Sequence, residues 1–273
     1  DENRVINIIS DLADLTITGE FTLLEVIGVV ADEVNLLSSS IQKKIEQIQP
    51  PEFIKSDLQT NKIDLESNTE TLSESRHLDI QYLLELKSFE LISLFLGNAE
   101  IEVDGEITGN LFAAGDTTIL FLDTEINQMK YWDGLDLYYL SDFDFALKMN
   151  NSSLSDSFEG FYADMNVDAK RIFIGSEITD LSFDMNFDGN DSEMDLSAVY
   201  ETDTRLDLEG SLFINNGFVD VLFDKLFFKY YEFDLMNSGD IKFSYSNDKI
   251  NFESFALAHN GGMLDLGGQL SFT

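Results

Sequence analysis

A chain of 273 residues with 52 acidic and 16 basic side chains carries a formal charge of -36, which opposes any anionic polymer by plain repulsion and excludes nucleic-acid binding as a function. It has no cysteine, so disulfide stapling is excluded and the redox compartment is left open. Two prolines, 17 glycines and 23 phenylalanines favour ordered strands joined by glycine and asparagine turns.

The first residues, DENRVINIISDLADL, lack a basic leader ahead of an apolar core, and the expectation is that no signal peptide is included. Leu15 to Phe21 reads as a strand ending at a helix start. Thr22 and Glu25 fit a capping box, and apolar residues recur at Leu23, Ile27, Val30, Val34, Leu37, Ile41, Ile45 and Ile48, in steps of three and four that make one helical stripe. Pro50-Pro51 stops it. The spacing therefore predicts an amphipathic helix over 22–49 packed on the protein's own sheet. Glu25, Asp32 and Glu33 are each expensive in hydrocarbon, so no membrane span is expected. Residues 52–76 are polar and read as a connector, which divides the chain into a strand and helix (1–51), the connector, and a strand-rich domain (77–273).

From His77 the alternation resumes through Leu78, Ile80, Tyr82 and Leu84, and Phe89 to Leu96 reads as a short helix. Ile101, Val103 and Ile107 then alternate with Glu100, Glu102, Asp104 and Glu106. Strands are expected at Thr118 to Asp123, Leu135 to Leu140, Phe143 to Met149 and Phe161 to Asp168. Further ones follow at Leu181 to Asp188, Met194 to Ala198, Leu206 to Leu212, Phe218 to Phe223 and Leu226 to Leu235. The last 35 residues form a meander of three strands, with Ile241, Phe243 and Tyr245 on the face opposite Asp240, Lys242 and Ser244. Asn247-Asp248 and Asn260-Gly261-Gly262 supply its turns. About a dozen half-buried strands result, with one greasy and one wet face.

Chemistry-bearing motifs are few. DMNFDGNDSEMD, Asp184 to Asp195, resembles an EF-hand calcium loop, but its flanks alternate as strands and a type I′-like hairpin around Gly189 accounts for it better. His77 and His259 are the only histidines, and no catalytic or nucleotide-binding spacing accompanies them. Carboxylate pairs are guaranteed by abundance and identify nothing. No cofactor and no metal is expected, and the chain does not read as an enzyme.

A sheet of a dozen strands is about 55–60 Å wide, whereas a helix is only about 10 Å thick. The helix cannot cover the greasy face alone. Either the apolar sides meet in a sandwich or barrel, or the sheet curls into an open trough that receives something greasy. The order of elements in LMNSGDIKFSYSNDKINFESFALAHNGGMLDLGGQLSF resembles the repeating unit of the TamB and AsmA-like family. Asp104 to Gly134 and Leu206 to Phe223 are similar to other portions of such units, and the likeness covers Leu78 to Phe272.

The resemblance implies an elongated, curled, antiparallel-rich sheet, a β-taco or U-shaped groove with an apolar lining. It also implies a full-length protein anchored in the inner membrane and crossing the periplasm, phospholipid transport towards the outer membrane, and an outer-membrane β-barrel partner of the BamA type. The chain departs from the family's pattern in lacking the membrane anchor and in carrying the long helix. The expected lipid-binding lining is Phe143, Phe145, Leu181, Phe183, Met185, Met194, Leu196, Ile241, Phe243, Phe252, Leu264 and Leu266, in contact with phospholipid acyl chains. The competing readings are an extracellular β-sandwich for adhesion or carbohydrate binding, and an outer-membrane barrel.

Overall fold

The computed structural model describes residues 4–22, 77–87, 100–115, 117–132, 134–152, 160–215, 218–246 and 249–271. The helix expected over 22–49, the connector 52–76 and the short helix expected from Phe89 to Leu96 lie outside the described residues. What is described is one antiparallel sheet of 15 strands. In chain order these are β1 (Arg4–Ile9), β2 (Ala13–Glu20), β3 (His77–Leu86), β4 (Glu100–Ala114), β5 (Thr117–Trp132), β6 (Leu137–Asn151), β7 (Phe161–Ile174), β8 (Glu177–Asp188), β9 (Asp191–Tyr200) and β10 (Thr204–Asn215), followed by β11 (Phe218–Tyr230), β12 (Phe233–Asn237), β13 (Ile241–Ser246), β14 (Lys249–His259) and β15 (Gly262–Ser271).

Each strand from β1 to β11 pairs with its neighbours in sequence. The N-terminal pair belongs to the same sheet, since β2 pairs with β3 from Ala13↔Leu86 to Glu20↔Asp79. Among the described residues no pairing joins β1 to β15, so the hydrogen-bonded sheet is open at both edges. β1 exposes Val5, Ile8 and Ile9 at one edge, and every residue of β15 is exposed at the other.

Two strands expected as separate, Leu135 to Leu140 and Phe143 to Met149, are one, β6. Likewise β5 runs on to Trp132 and β7 to Ile174. The interruption in each is a bulge. β5 carries one extra residue, Asn127, against β4, and β8 carries one extra, at Asp180, against β9. Between them the ladder skips Asn127 opposite Asp142, Asp142 opposite Lys170, and Lys170 opposite Asp180. Asp142 and Asp180 have φ of 45° and 49°, the left-handed region that aspartate tolerates better than most residues. An extra residue would normally throw every later side chain to the other face. Here four adjacent strands take it together, so register survives across the row.

The strand expected from Leu226 to Leu235 is broken instead. β11 runs to Tyr230, turns at Tyr231-Glu232, and β12 returns. β12 and β13 both pair with β11, over Phe227–Tyr230 and Val219–Phe223, and so act as one strand interrupted at 238–240. The gap faces the extra residue of β11, Asp224. Asn237 fills it: its Oδ1 accepts from the Leu226 N–H at 2.9 Å, and its Nδ2 donates to the carbonyls of Asp224 at 2.8 Å and Gly239 at 2.9 Å. One side-chain amide thus stands in for missing ladder bonds.

The hairpin between β8 and β9 is formed as expected, but only Gly189 of its two central residues has positive φ, 62°, which is the pattern of a type II′ turn rather than I′. Asn260 and Gly261, with φ of 41° and 82°, are both left-handed and give β14–β15 the I′ pattern.

Replacing Asn237 with alanine removes three hydrogen bonds at a partly buried break and should cost about 1–3 kcal/mol in denaturant unfolding. Hydrogen exchange at the Leu226 amide should accelerate more than at the Phe228 amide, whose own strand pairing is kept.

Candidate functional site: an unbroken apolar face

Side chains opposite one another in an antiparallel pair share a face, so register alone traces this surface. Phe143 and Phe145 lie opposite Ala169 and Val167, which lie opposite Leu181 and Phe183, while Met165 lies opposite Met185. Phe183 and Met185 face Leu196 and Met194. Those lead through Leu208 and Gly210 of β10 to Phe223, and Phe223 and Val221 to Ile241 and Phe243. Phe243 faces Phe252, and Phe255 and Leu257 face Leu266 and Leu264. All twelve residues expected from sequence therefore lie on one face. In the other direction Thr124, Ile107, Leu84, Leu15 and Ile8 carry the same face to the β1 edge.

The lining expected from sequence leaves out several members of this face, among them Tyr82, Leu147, Met165 and Phe223. Sequence reading also missed the phase change that keeps the face continuous past the bulges. The signal was present: Ile126-Asn-Gln-Met129, Leu140-Ser-Asp-Phe143, Ala169-Lys-Arg-Ile172 and Ile178-Thr-Asp-Leu181 each place two polar residues between apolar ones where strict alternation allows one.

Two glycines on this face admit large neighbours. A Cβ at Gly109 would lie 2.6 Å from the Tyr82 ring, and one at Gly210 would lie 2.8 Å from that of Phe223. The tip of Tyr82 and the ring of Phe223 therefore each approach the bare backbone across the strand pair. Burial there raises the Tyr82 hydroxyl above its ordinary pKa.

Burial along the face is uneven. Near β2–β4, Leu78, Ile80, Leu111 and Ala113 are buried with Phe21 as a small core, against which Ile6, Ile17 and Leu120 pack. Of the twelve residues named above only Ile241 is buried, Leu264 and Leu266 are exposed at 51% and 43%, and the other nine are half-buried. Aromatic contacts run along the surface, with Phe223, Phe243 and Phe252 in series at ring separations of 6.1 Å. In a sealed sandwich the inner faces interdigitate and such side chains lie buried. Here they are covered mainly by one another.

The opposite face is acidic and polar. Asp14, Glu85, Glu106, Glu125, Asp144 and Asp168 stand directly opposite one another across β2–β7. At a strand spacing of about 4.8 Å, each adjacent pair repels by up to about 0.9 kcal/mol even in water. Lys87 reaches only the end of the row, 2.6 Å from Asp14.

Further along, Asn166 donates to Asp184 at 2.6 Å, Asn186 donates to Asp164, and Tyr162 donates a short hydrogen bond to the same Asp164. That bond, with some burial, raises the Tyr162 pKa. A concavity of about 800 Å³ formed by described residues lies on this face. It is lined by Lys148, Asp164, Asp184, Glu193, Asp195 and Glu209 among others. The trough expected from sequence lies on the apolar face, whereas this concavity lies on the acidic one and mixes carboxylates with Phe121, Ala146 and Leu222. A twisted sheet is saddle-shaped, so each face is hollow along one diagonal.

His77 packs edge-on against Phe112, and His259 Nδ1 lies 3.0 Å from Asp234 Oδ1. No group of metal-ligating side chains gathers among the described residues, nor does any described helix have the length and hydropathy to cross a membrane. What the geometry defines is a one-sided sheet whose apolar surface spans all of its strands. No family model matches the chain, and neither the curated proteins nor the solved structures include one similar to it.

The carboxylate row makes a direct prediction. Glu125→Gln relieves two repulsions at once and should raise Tm by about 1–3 °C in low salt. The gain should vanish in 1 M NaCl, where the screening length is about 3 Å.

Proposed function

We propose that this chain is a section of a bridge-like protein that shields phospholipid acyl chains on an apolar β surface and so carries lipid between the inner and outer membranes of a cell envelope. The observation that carries this reading is the continuous face of mainly phenylalanine, leucine and methionine side chains, half-exposed along most of its length, with Thr124 and the Tyr82 hydroxyl among its few polar groups. An acyl chain gains about 0.8 kcal/mol for each methylene removed from water. Neither directional bonds nor deep pockets would fix it in one place, so chains would be held yet free to slide.

The resemblance to the TamB and AsmA-like family supports the same assignment, with the sheet curling about its apolar side and the acidic face outward. In this reading the chain lies in the periplasm, with an outer-membrane β-barrel of the BamA type as partner. Headgroups in this reading stay in water at the strand ends. The role is one of binding and conduction, with no catalysis.

A photo-reactive phenylalanine analogue at Phe183 should cross-link to co-purified lipid, whereas the same probe at Asp184, on the opposite face, should not. Phe183→Asp should lower the lipid recovered from purified protein several-fold while leaving the circular dichroism of the sheet unchanged. Lipid-free wild-type protein that gives no cross-link at Phe183 would sink the proposal.

A further inference from the structure

The two rims of the sheet, where the turns lie, differ in kind. At one rim phenylalanines stack in half-buried pairs, Phe161 on Phe187 and Phe213 on Phe218, and the tyrosines there, Tyr162 and Tyr245, are half-buried too. At the other rim the exposed large apolar side chains gather. Trp132 closes β5, Leu135 in the following turn is 92% exposed, Tyr138 opens β6, Ile174 closes β7 at 66%, Tyr200 closes β9 and Tyr231 forms the β11–β12 turn.

Four of these six are tyrosines or the chain's only tryptophan, residues with an apolar body and a polar tip that favour the boundary between hydrocarbon and water. Arg171, Arg205 and Lys229 stand at one level in β7, β10 and β11, and Lys130 of β5 lies two residues nearer the rim. Lys130, Arg171 and Arg205 are paired with Glu100, Glu177 and Asp207. Asp136, Glu201, Asp203 and Glu232 alternate with them in the turns.

We infer that this rim docks on a zwitterionic bilayer surface, with Trp132, Leu135 and Tyr231 entering the headgroup layer. The inference deepens the acyl-chain reading, on which it rests for its purpose, by naming where lipid meets the apolar face. Charges of both signs suit a headgroup that carries both, and the interleaved carboxylates oppose an anionic surface. A protein partner would be anchored in pockets, and the 800 Å³ concavity is lined by none of Trp132, Leu135, Tyr138, Ile174, Tyr200 and Tyr231. A row of turns some strands long fits a plane.

Trp132 reports on the contact directly. With phosphatidylcholine vesicles the full chain should float, and Trp132 emission should shift to the blue and be quenched more by shallow than by deep nitroxide lipids. Leu135→Asp combined with Tyr231→Asp, both in solvent-facing turns, should reduce flotation several-fold without changing the circular dichroism. No flotation, flotation only on anionic vesicles, or flotation undiminished in the double variant would overturn the inference. So would a wild-type dimer that the double variant dissociates, which would make the rim a contact between copies. Flotation by protein that gives no lipid cross-link at Phe183 would instead overturn the acyl-chain reading and leave the docking rim standing.

Discussion

A strand offers only two directions for its side chains, and this chain spends one of them on hydrocarbon throughout. With that choice made, register becomes the controlling constraint, because a slip of one residue anywhere would turn a strand's apolar set towards the acidic side and carboxylates towards the phenylalanines. The meander topology limits the opportunity for such slips. Each strand from β1 to β11 pairs with its neighbours in sequence, so short turns set most of the pairings locally.

The bulge row shows how strictly the constraint is kept. One extra residue in β5 alone would have split the apolar face at Asn127. Because β6, β7 and β8 take up the same extra residue at the same level, Met129 still faces Leu140, and Ile172 still faces Ile178. The shift is then absorbed at β9, whose alternation from Met194 to Tyr200 is unbroken. The device recurs at the far side, where Asp224 bulges from β11 and Asn237 closes the gap in the strand beside it. In both places a polar side chain at the irregularity points away from the apolar face or supplies the missing backbone bonds.

Much of this was legible in the sequence because period-two alternation is a local signal. The twelve apolar residues chosen from alternation fall on one face, and the closing meander has the three strands expected of it and the turn expected at Asn260-Gly261. Strand number and length were harder to read. A pair of polar residues such as Ser141-Asp142 looks the same whether the chain turns there or bulges, and only the neighbouring strands, which share the extra residue, decide between them. The carboxylate row was hidden for a similar reason: Glu85, Glu106, Glu125 and Asp144 are far apart in the chain, and nothing but register brings them side by side. The exposed rim depends on which ends of alternate strands coincide, a property of topology rather than of any one segment.

The two faces make opposite demands that fit together. A wide, half-covered apolar surface invites stacking with a second copy, and a row of unpaired like charges costs stability. On one sheet the second restrains the consequences of the first, since stacking an apolar face on another molecule's acidic face would bury carboxylates without partners, at a cost of several kcal/mol for each. Stacking apolar face on apolar face remains possible in principle. Two chains of formal charge -36 repel as they approach, whereas a neutral acyl chain does not. Charge on the far side therefore opposes the approach of a second copy to the apolar face.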